Sequence, residues 1–190
     1  MSNPSDIIEG VNDGPVNQYT LHTSKGCSLS ESGNFTGRKI SDSCYALAHK
    51  NAGCAIKDTN VHGPSYGSAL NAHGGGVWAT QFDKSGVTIW FFPRDMIPDD
   101  VRTSQPNPSK WAGMGIQPSA QYRSDTCEFS KYFYQQILIF DITLCGDWGA
   151  GAYAQGGCAG TCSQRVMKGS HFVTAAWNIS SVKVYQQNLS

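Results

Sequence analysis

The stretch Ser5-Asp6-Ile7-Ile8-Glu9-Gly10-Val11-Asn12-Asp13 decides how the rest of the chain is interpreted. Two carboxylates flank a pair of β-branched residues, a residue type that favours an extended strand. In a regular strand, positions three apart face opposite sides of the sheet. One extra residue, a β-bulge, would return Glu9 to the face of Asp6. The stretch therefore predicts a strand whose two acids point into one groove.

Other strand signals recur along the chain, separated by clusters of glycine, proline, asparagine and serine. The predicted strands are Asp6–Val11, Gln18–Thr23, Gly76–Phe82, Gly86–Phe92, Gln136–Leu144, His171–Trp177 and Ser181–Gln186. Residues 83–86 are predicted to form a hairpin turn. Gly86–Phe92 is apolar on both faces, which indicates a strand covered on both sides, as in a sandwich. The best candidate for a helix is Ser41–Asn51.

Charge and composition exclude some classes of partner. The 190 residues carry 14 basic and 14 acidic side chains, so binding to nucleic acid or to an anionic membrane surface is not expected. No window of 18 apolar residues is present, so the sequence predicts no transmembrane helix. The aspartates in the loops match no calcium-binding loop, and no metal site is predicted.

The cysteines indicate a disulfide framework. Seven are present, at positions 27, 44, 54, 127, 145, 158 and 162. Their irregular spacing fits no zinc site, so disulfides are the better interpretation. Because the count is odd, at least one cysteine is free or pairs outside the chain.

A secretory history is also favoured by three glycosylation motifs, which begin at Asn34, Asn178 and Asn188. The first residues show neither a charged region nor an apolar core, so no signal peptide is predicted. The two observations conflict, and we expect that the natural amino-terminal part precedes this sequence.

Several motifs together resemble glycoside hydrolase family 16, in particular the fungal laminarinase-like endo-β-1,3(4)-glucanases. Residues 6–12 match the signature of that family after its first two positions. The resemblance continues through residues 20–23, 71–76, 89–94 and 144–148, and it ends in a predicted last strand at 176–185. It covers nearly the whole chain.

The resemblance implies a fold and an activity. The fold would be an all-β, concanavalin-like jelly-roll β-sandwich. The activity would be retaining hydrolysis of internal β-1,3 or mixed β-1,3/1,4 linkages in glucans, outside the cell and without a cofactor. Glu9 would be the general acid/base and Asp6 its helper, and His22 is expected beside them. Trp148 and Trp111 are candidate sugar-binding residues, whereas Trp78, Trp90 and Trp177 lie in strand patterns and are expected in the core.

The sequence departs from the family at one decisive position. The nucleophilic glutamate of the family falls on Pro4, and residues 1–3 bear no likeness to the family. We therefore expect residues 1–190 to form a single partial catalytic domain that is incomplete at its amino terminus and impaired in hydrolysis.

Three interpretations stay open at this point. The sequence is a truncated or incompletely predicted form of an active hydrolase, a glucan-binding remnant that keeps the groove without the chemistry, or a structural secreted β-domain without a sugar site.

Overall fold

The computed structural model describes residues 4–186, and the chain divides after Gln136 into two units. The first unit contains seven strands, and every strand pairing between them is antiparallel. The strands are β1 (Ser5–Glu9), β2 (Gln18–Leu21), β3 (Arg38–Ser41), β4 (Cys54–Lys57), β5 (Gly76–Asp83), β6 (Gly86–Pro93) and β7 (Ala120–Arg123).

The strands form two sheets, one in the order β1-β2-β4-β3 and one in the order β5-β6-β7. Side chains from both sheets meet in one hydrophobic cluster, so this unit is a β-sandwich. Its members from the strands include Tyr19, Leu21 and Ile56 of the first sheet and Val87, Ile89, Ala120 and Tyr122 of the second. The all-β prediction is confirmed.

Strand β6 is covered on both faces, as its sequence predicts. Val87 and Ile89 belong to the cluster between the sheets, whereas Trp90 and Phe92 pack on the opposite face with Trp111. The predicted hairpin is also present, because β5 and β6 pair from Gly76↔Pro93 to Asp83↔Gly86. Gly86 has φ 133°, and a Cβ there would collide with the carbonyl of Tyr122, so the turn requires glycine.

Short helices connect the strands of the first unit: α1 (Gly67–Ala72), α2 (Asp99–Arg102), α3 (Pro108–Trp111) and α4 (Phe129–Tyr132). The helix predicted at Ser41–Asn51 is wrong, since only the 3-10 turn His49–Asn51 forms there. The φ angles of His49, Lys50 and Asn51 are 48°, 56° and 62°, which a right-handed helix does not allow. The disulfide Cys44–Cys54 spans this segment.

The second unit, from residue 137 onward, contains the helices α5 (Gly146–Ala152) and α6 (Cys162–Val166) and the 3-10 turn Gly169–Phe172. Within residues 137–186 no strand forms, so the predicted strands at Gln136–Leu144, His171–Trp177 and Ser181–Gln186 are wrong in this structure. An extended segment becomes a strand only when a neighbouring backbone accepts its hydrogen bonds. Trp177 and Phe140 contact each other by side chain alone, and Trp177 is 42% exposed instead of buried.

Three disulfides form, Cys27–Cys127, Cys44–Cys54 and Cys145–Cys162, and Cys158 is an exposed free cysteine. The prediction of a disulfide framework with one unpaired cysteine is therefore confirmed. Among residues 4–186, no helix has the length and apolar character needed to cross a membrane.

Candidate active site

A β-bulge in β1 brings the two acids of the opening motif onto one face of the sheet. Asp6 pairs with Thr20 and Glu9 pairs with Gln18, so two residues of β1 lie opposite the single residue Tyr19. The extra residue restores Glu9 to the side of Asp6. The bulge predicted from the spacing of the acids is thus present.

Strand β2 and the residue that follows it supply the polar side chains that surround the acids. Gln18, Thr20 and His22 alternate along the chain, and alternate residues of an extended segment point to the same side. Nε2 of His22 lies 3.3 Å from Oδ2 of Asp6. The predicted position of His22 beside the acids is what the structure shows.

Glu9 lies partly buried within hydrogen-bonding distance of β2. The hydroxyl of Thr20 donates to Oε2 of Glu9 at 2.7 Å, and the side-chain amide of Gln18 donates to the same oxygen at 3.3 Å. Burial raises the pKa of Glu9, and the like charge of Asp6 raises it further. The bond from Thr20 opposes burial, as do the positive charge of His22 and the bond from Gln18. The net effect is a raised pKa, which shifts Glu9 toward the protonated form that a general acid needs.

His22 is buried, with 7% of its surface exposed. Its contact with the Asp6 carboxylate raises the pKa of the imidazole, and the charge of Glu9 adds to this effect, whereas burial acts against it. Asp6 therefore raises the pKa of both neighbouring groups, Glu9 and His22.

Asp6, Glu9 and His22 offer one ligand atom each, and these three atoms lie within 4.8 Å of one another. Among the described residues, this is the group that has the donor atoms to hold a metal ion. A carboxyl group of raised pKa beside a second carboxylate is also an arrangement suited to acid/base chemistry.

Pro4 continues the pairing of β1 with β2, since the backbone N–H of His22 donates to the carbonyl of Pro4 at 3.1 Å. Pro4 precedes Asp6 by two residues, and in an extended chain this places both residues on one face. Pro4 is exposed. A carboxylate at position 4 would therefore share the face of Asp6 and Glu9, but proline provides none.

The two tryptophans predicted to contact sugar lie in different environments. Trp111 is 1% exposed and packs edge-on against Trp90 and Phe92, and its indole N–H donates to Asp100 at 2.8 Å. A sugar ring has no access to this side chain, so the prediction of a sugar contact for Trp111 is not supported. Trp148 lies on α5 in the second unit and is 44% exposed. Its role stays a prediction.

A model of a known protein family matches nearly the whole chain. Residues 4–185 match the family model described as XgeA-like, catalytic GH16 domain. The chain belongs to glycoside hydrolase family 16. The resemblance inferred from the motifs is thereby confirmed.

Among curated GH16 relatives, a probable glycosidase of Schizosaccharomyces pombe is 41% identical over 186 residues, which are 95% of this chain and 43% of the relative. An endo-1,3(4)-beta-glucanase of Arthroderma benhamiae is 40% identical over 195 residues, covering 98% of this chain and 42% of the relative. This chain therefore spans less than half the length of these relatives.

A solved GH16 structure gives the same fold. Laminarinase 16A from Phanerochaete chrysosporium, with 6-O-glucosyl-laminaritriose in its donor and acceptor sites, superimposes with a TM-score of 0.77 at 30% identity. The match covers 91% of this chain and 58% of the laminarinase. The likeness confirms the predicted jelly-roll fold.

The motifs do not predict four residues that contact the site: two bond to the side chain of Glu9 and two bond to the backbone of the motif. Gln18 and Thr20 bond to Glu9, and their alternation with His22 is the signal that could have identified them. Asn17 and Tyr66 contact the backbone of the motif. No local pattern points to Tyr66, because it lies 56 residues from its partner Gly10.

Proposed function

We propose that this chain provides the acid/base half of a retaining endo-β-glucanase that acts on internal β-1,3 or mixed β-1,3/1,4 linkages. The observation that carries the proposal is the bulge in β1, which sets Asp6 and the partly buried Glu9 on one face. The names of the relatives, endo-1,3(4)-beta-glucanases and a laminarinase with bound β-glucan, support β-glucan as the substrate.

In this proposal, Glu9 protonates the oxygen of the departing sugar while a carboxylate attacks the anomeric carbon and forms a glycosyl-enzyme. Glu9, now ionised, then removes a proton from water, and the resulting hydroxide releases the product with retained configuration. Asp6 favours the protonated form of Glu9 before the first step, because its negative charge raises the pKa of Glu9.

The attacking carboxylate belongs at position 4, where this chain has Pro4. Retaining enzymes hold their two carboxyl groups about 5–5.5 Å apart. Asp6 is a poor substitute for this carboxylate. It contacts His22, and it lies two residues nearer to Glu9 along the strand than position 4 does. We therefore propose that residues 1–190 alone do not complete hydrolysis.

A second candidate function is glucan binding without cleavage. It is favoured by the polar face that carries Glu9, Gln18 and His22, since position 4 has no carboxylate to act as nucleophile. We also propose secretion, because three disulfides are typical of proteins that mature in an oxidising compartment.

The experiment compares laminarin hydrolysis by four proteins at pH 5, measured as reducing ends. The first is the 190-residue chain. The second and third join residues 4–190 to the amino-terminal part of the Arthroderma benhamiae relative and carry Pro4→Glu or the matched control Pro4→Gln. The fourth carries Pro4→Glu together with Glu9→Gln. Laminarihexaose binding is measured for all four by calorimetry.

We expect hydrolysis only with Pro4→Glu, and the product should retain its anomeric configuration. Loss of a member of a catalytic set costs several powers of ten, so Glu9→Gln should return the rate to background. Binding by all four proteins without cleavage by any would establish the glucan-binding alternative. Absence of both binding and cleavage would refute the proposed function. If the 190-residue chain hydrolyses laminarin, and Glu9→Gln introduced into that chain stops it, the nucleophile is elsewhere.

A further inference from the structure

The bulge in β1 is bridged by a single buried side chain. Asn17 immediately precedes β2 and is fully buried. Its side-chain oxygen accepts a hydrogen bond from the backbone N–H of Glu9 at 2.9 Å. Its side-chain amide donates to the carbonyl of Ile7 at 2.8 Å. Ile7 and Glu9 are the residues on either side of Ile8, within the irregular part of the strand.

These two bonds satisfy backbone groups that the bulge leaves without partners on β2. The extra residue interrupts the ladder, so a backbone N–H and a backbone carbonyl lose their partners on the neighbouring strand. A buried backbone group without a partner destabilises the fold. A carboxamide is suited to this position because it has an acceptor and a donor on one carbon, and Asn17 presents one to each orphaned group.

Asn17 is itself held in place from the other side. Its backbone N–H donates to the hydroxyl of Ser65 at 2.9 Å, and Ser65 is fully buried. The next residue, Tyr66, donates its hydroxyl to the carbonyl of Gly10 at 2.9 Å. A Cβ on Gly10 would lie 2.6 Å from the Tyr66 ring, so the end of the motif fits closely against this segment.

We propose that Asn17 is a positioning residue that maintains the bulge in β1 and thereby keeps Glu9 on the face of Asp6. Asn17 does not touch the reacting atoms. Its effect passes through the backbone of Glu9, because a strand without the bulge would turn the side chain of Glu9 to the opposite face. The functional importance of this role rests on the proposed acid/base role of Glu9.

The test uses NMR to measure the hydrogen-exchange rates of individual amides in the 190-residue chain. The Glu9 N–H bonds to Asn17, whereas the His22 N–H bonds to Pro4 at the other end of the same strand pair. In Asn17→Ala, we expect the Glu9 amide to exchange at least about tenfold faster, while the His22 amide changes less than about twofold. Ser119→Ala is the matched control, because it removes a fully buried serine hydroxyl that accepts a backbone hydrogen bond from Phe91, and it leaves Asn17 and both carboxamide bonds intact.

A purely structural role for Asn17 predicts a different result, in which general destabilisation accelerates both amides by the same factor. That outcome in Asn17→Ala would overturn the proposal, and so would an unchanged Glu9 amide. If Asn17→Ala does not fold, Asn17→Ser provides the same comparison, since a hydroxyl is too short to reach both Ile7 and Glu9.

A second readout is the contact between the side chains of Glu9 and Thr20, whose hydroxyl lies 2.7 Å from Oε2 of Glu9. The nuclear Overhauser effects between these two side chains should be lost in Asn17→Ala and kept in Ser119→Ala. Their persistence in Asn17→Ala would also contradict the proposal. Neither measurement involves a sugar, so failure of the glucanase proposal and failure of the Asn17 proposal are distinguishable.

Discussion

The two candidate sugar-binding tryptophans provide a sharp test, because the structure separates residues that the sequence groups together. Trp111 is 1% exposed, and its ring centroid lies 4.9 Å from that of Trp90 and 5.3 Å from that of Phe92. Trp148 is 44% exposed. Trp111→Ala should therefore reduce stability, whereas Trp148→Ala should affect binding.

The magnitudes follow from burial. Replacing a fully buried tryptophan by alanine costs about 3–5 kcal/mol of unfolding free energy. For a chain of this size each kcal/mol lowers Tm by about 2–4 °C, so Trp111→Ala should lower Tm by roughly 10 °C. Trp111→Phe keeps an aromatic ring and loses the bond to Asp100, which should cost about 1–3 kcal/mol.

The assay pairs thermal unfolding, followed by circular dichroism, with calorimetric titration of laminarihexaose well below Tm. Trp148→Ala should leave Tm unchanged and, if the ring stacks on a sugar, weaken binding by about 1–3 kcal/mol. The reasoning is refuted if Trp111→Ala weakens binding while Tm stays within about 2 °C of the wild-type value. Unchanged binding in Trp148→Ala would remove Trp148 from the proposed site.

Three further outcomes are expected. Because the pKa of His22 is raised in the folded state, its stabilisation is complete below the ordinary value of 6.5 and is lost as the pH rises through the raised value. Tm should therefore fall as the pH rises above 6.5, and Asp6→Asn should flatten this dependence. Thiol counting under denaturing, non-reducing conditions should give one thiol per chain, and none in Cys158→Ser. The disulfide Cys27–Cys127 closes a span of 100 residues, so replacing both cysteines by serine should lower the free energy of unfolding by about 4–5 kcal/mol in chemical denaturation. The same change at Cys44–Cys54, a 10-residue span, should cost about 2–3 kcal/mol. Equal costs would contradict the loop-closure argument.

The sequence predicts those parts of the site that depend on neighbours along the chain. The spacing of Asp6 and Glu9 is enough to infer a bulge, since a groove with both acids requires one. The hairpin at residues 83–86 likewise follows from local turn chemistry. The sequence does not predict strands β3, β4 and β7, because they are short and lie within the long irregular stretches 24–75 and 93–130. Their pairing depends on β2 and β6, which lie elsewhere in the sequence.

The burial of a residue in a polar loop is equally hard to infer from the neighbouring sequence. Trp111 lies among polar residues in the sequence, and its partners Trp90 and Phe92 are about 20 residues away. The N–H of its indole bonds to Asp100, so even the polar part of the ring is satisfied inside the fold. A tryptophan in a polar loop is therefore weak evidence for a sugar contact unless its exposure is known.

The charges of the site explain why an aspartate stands between the bulge and position 4. The Asp6 carboxylate acts in the same direction on both neighbours, because it raises the pKa of Glu9 by repulsion and that of His22 by attraction. The imidazolium that Asp6 stabilises in turn lowers the pKa of Glu9, so the repulsion between the acids is partly offset. Asp6 thus raises the pKa of Glu9 while His22 lowers it. In the proposed mechanism Glu9 must both donate and recover a proton, and these opposing effects serve both steps because neither charge acts on Glu9 alone.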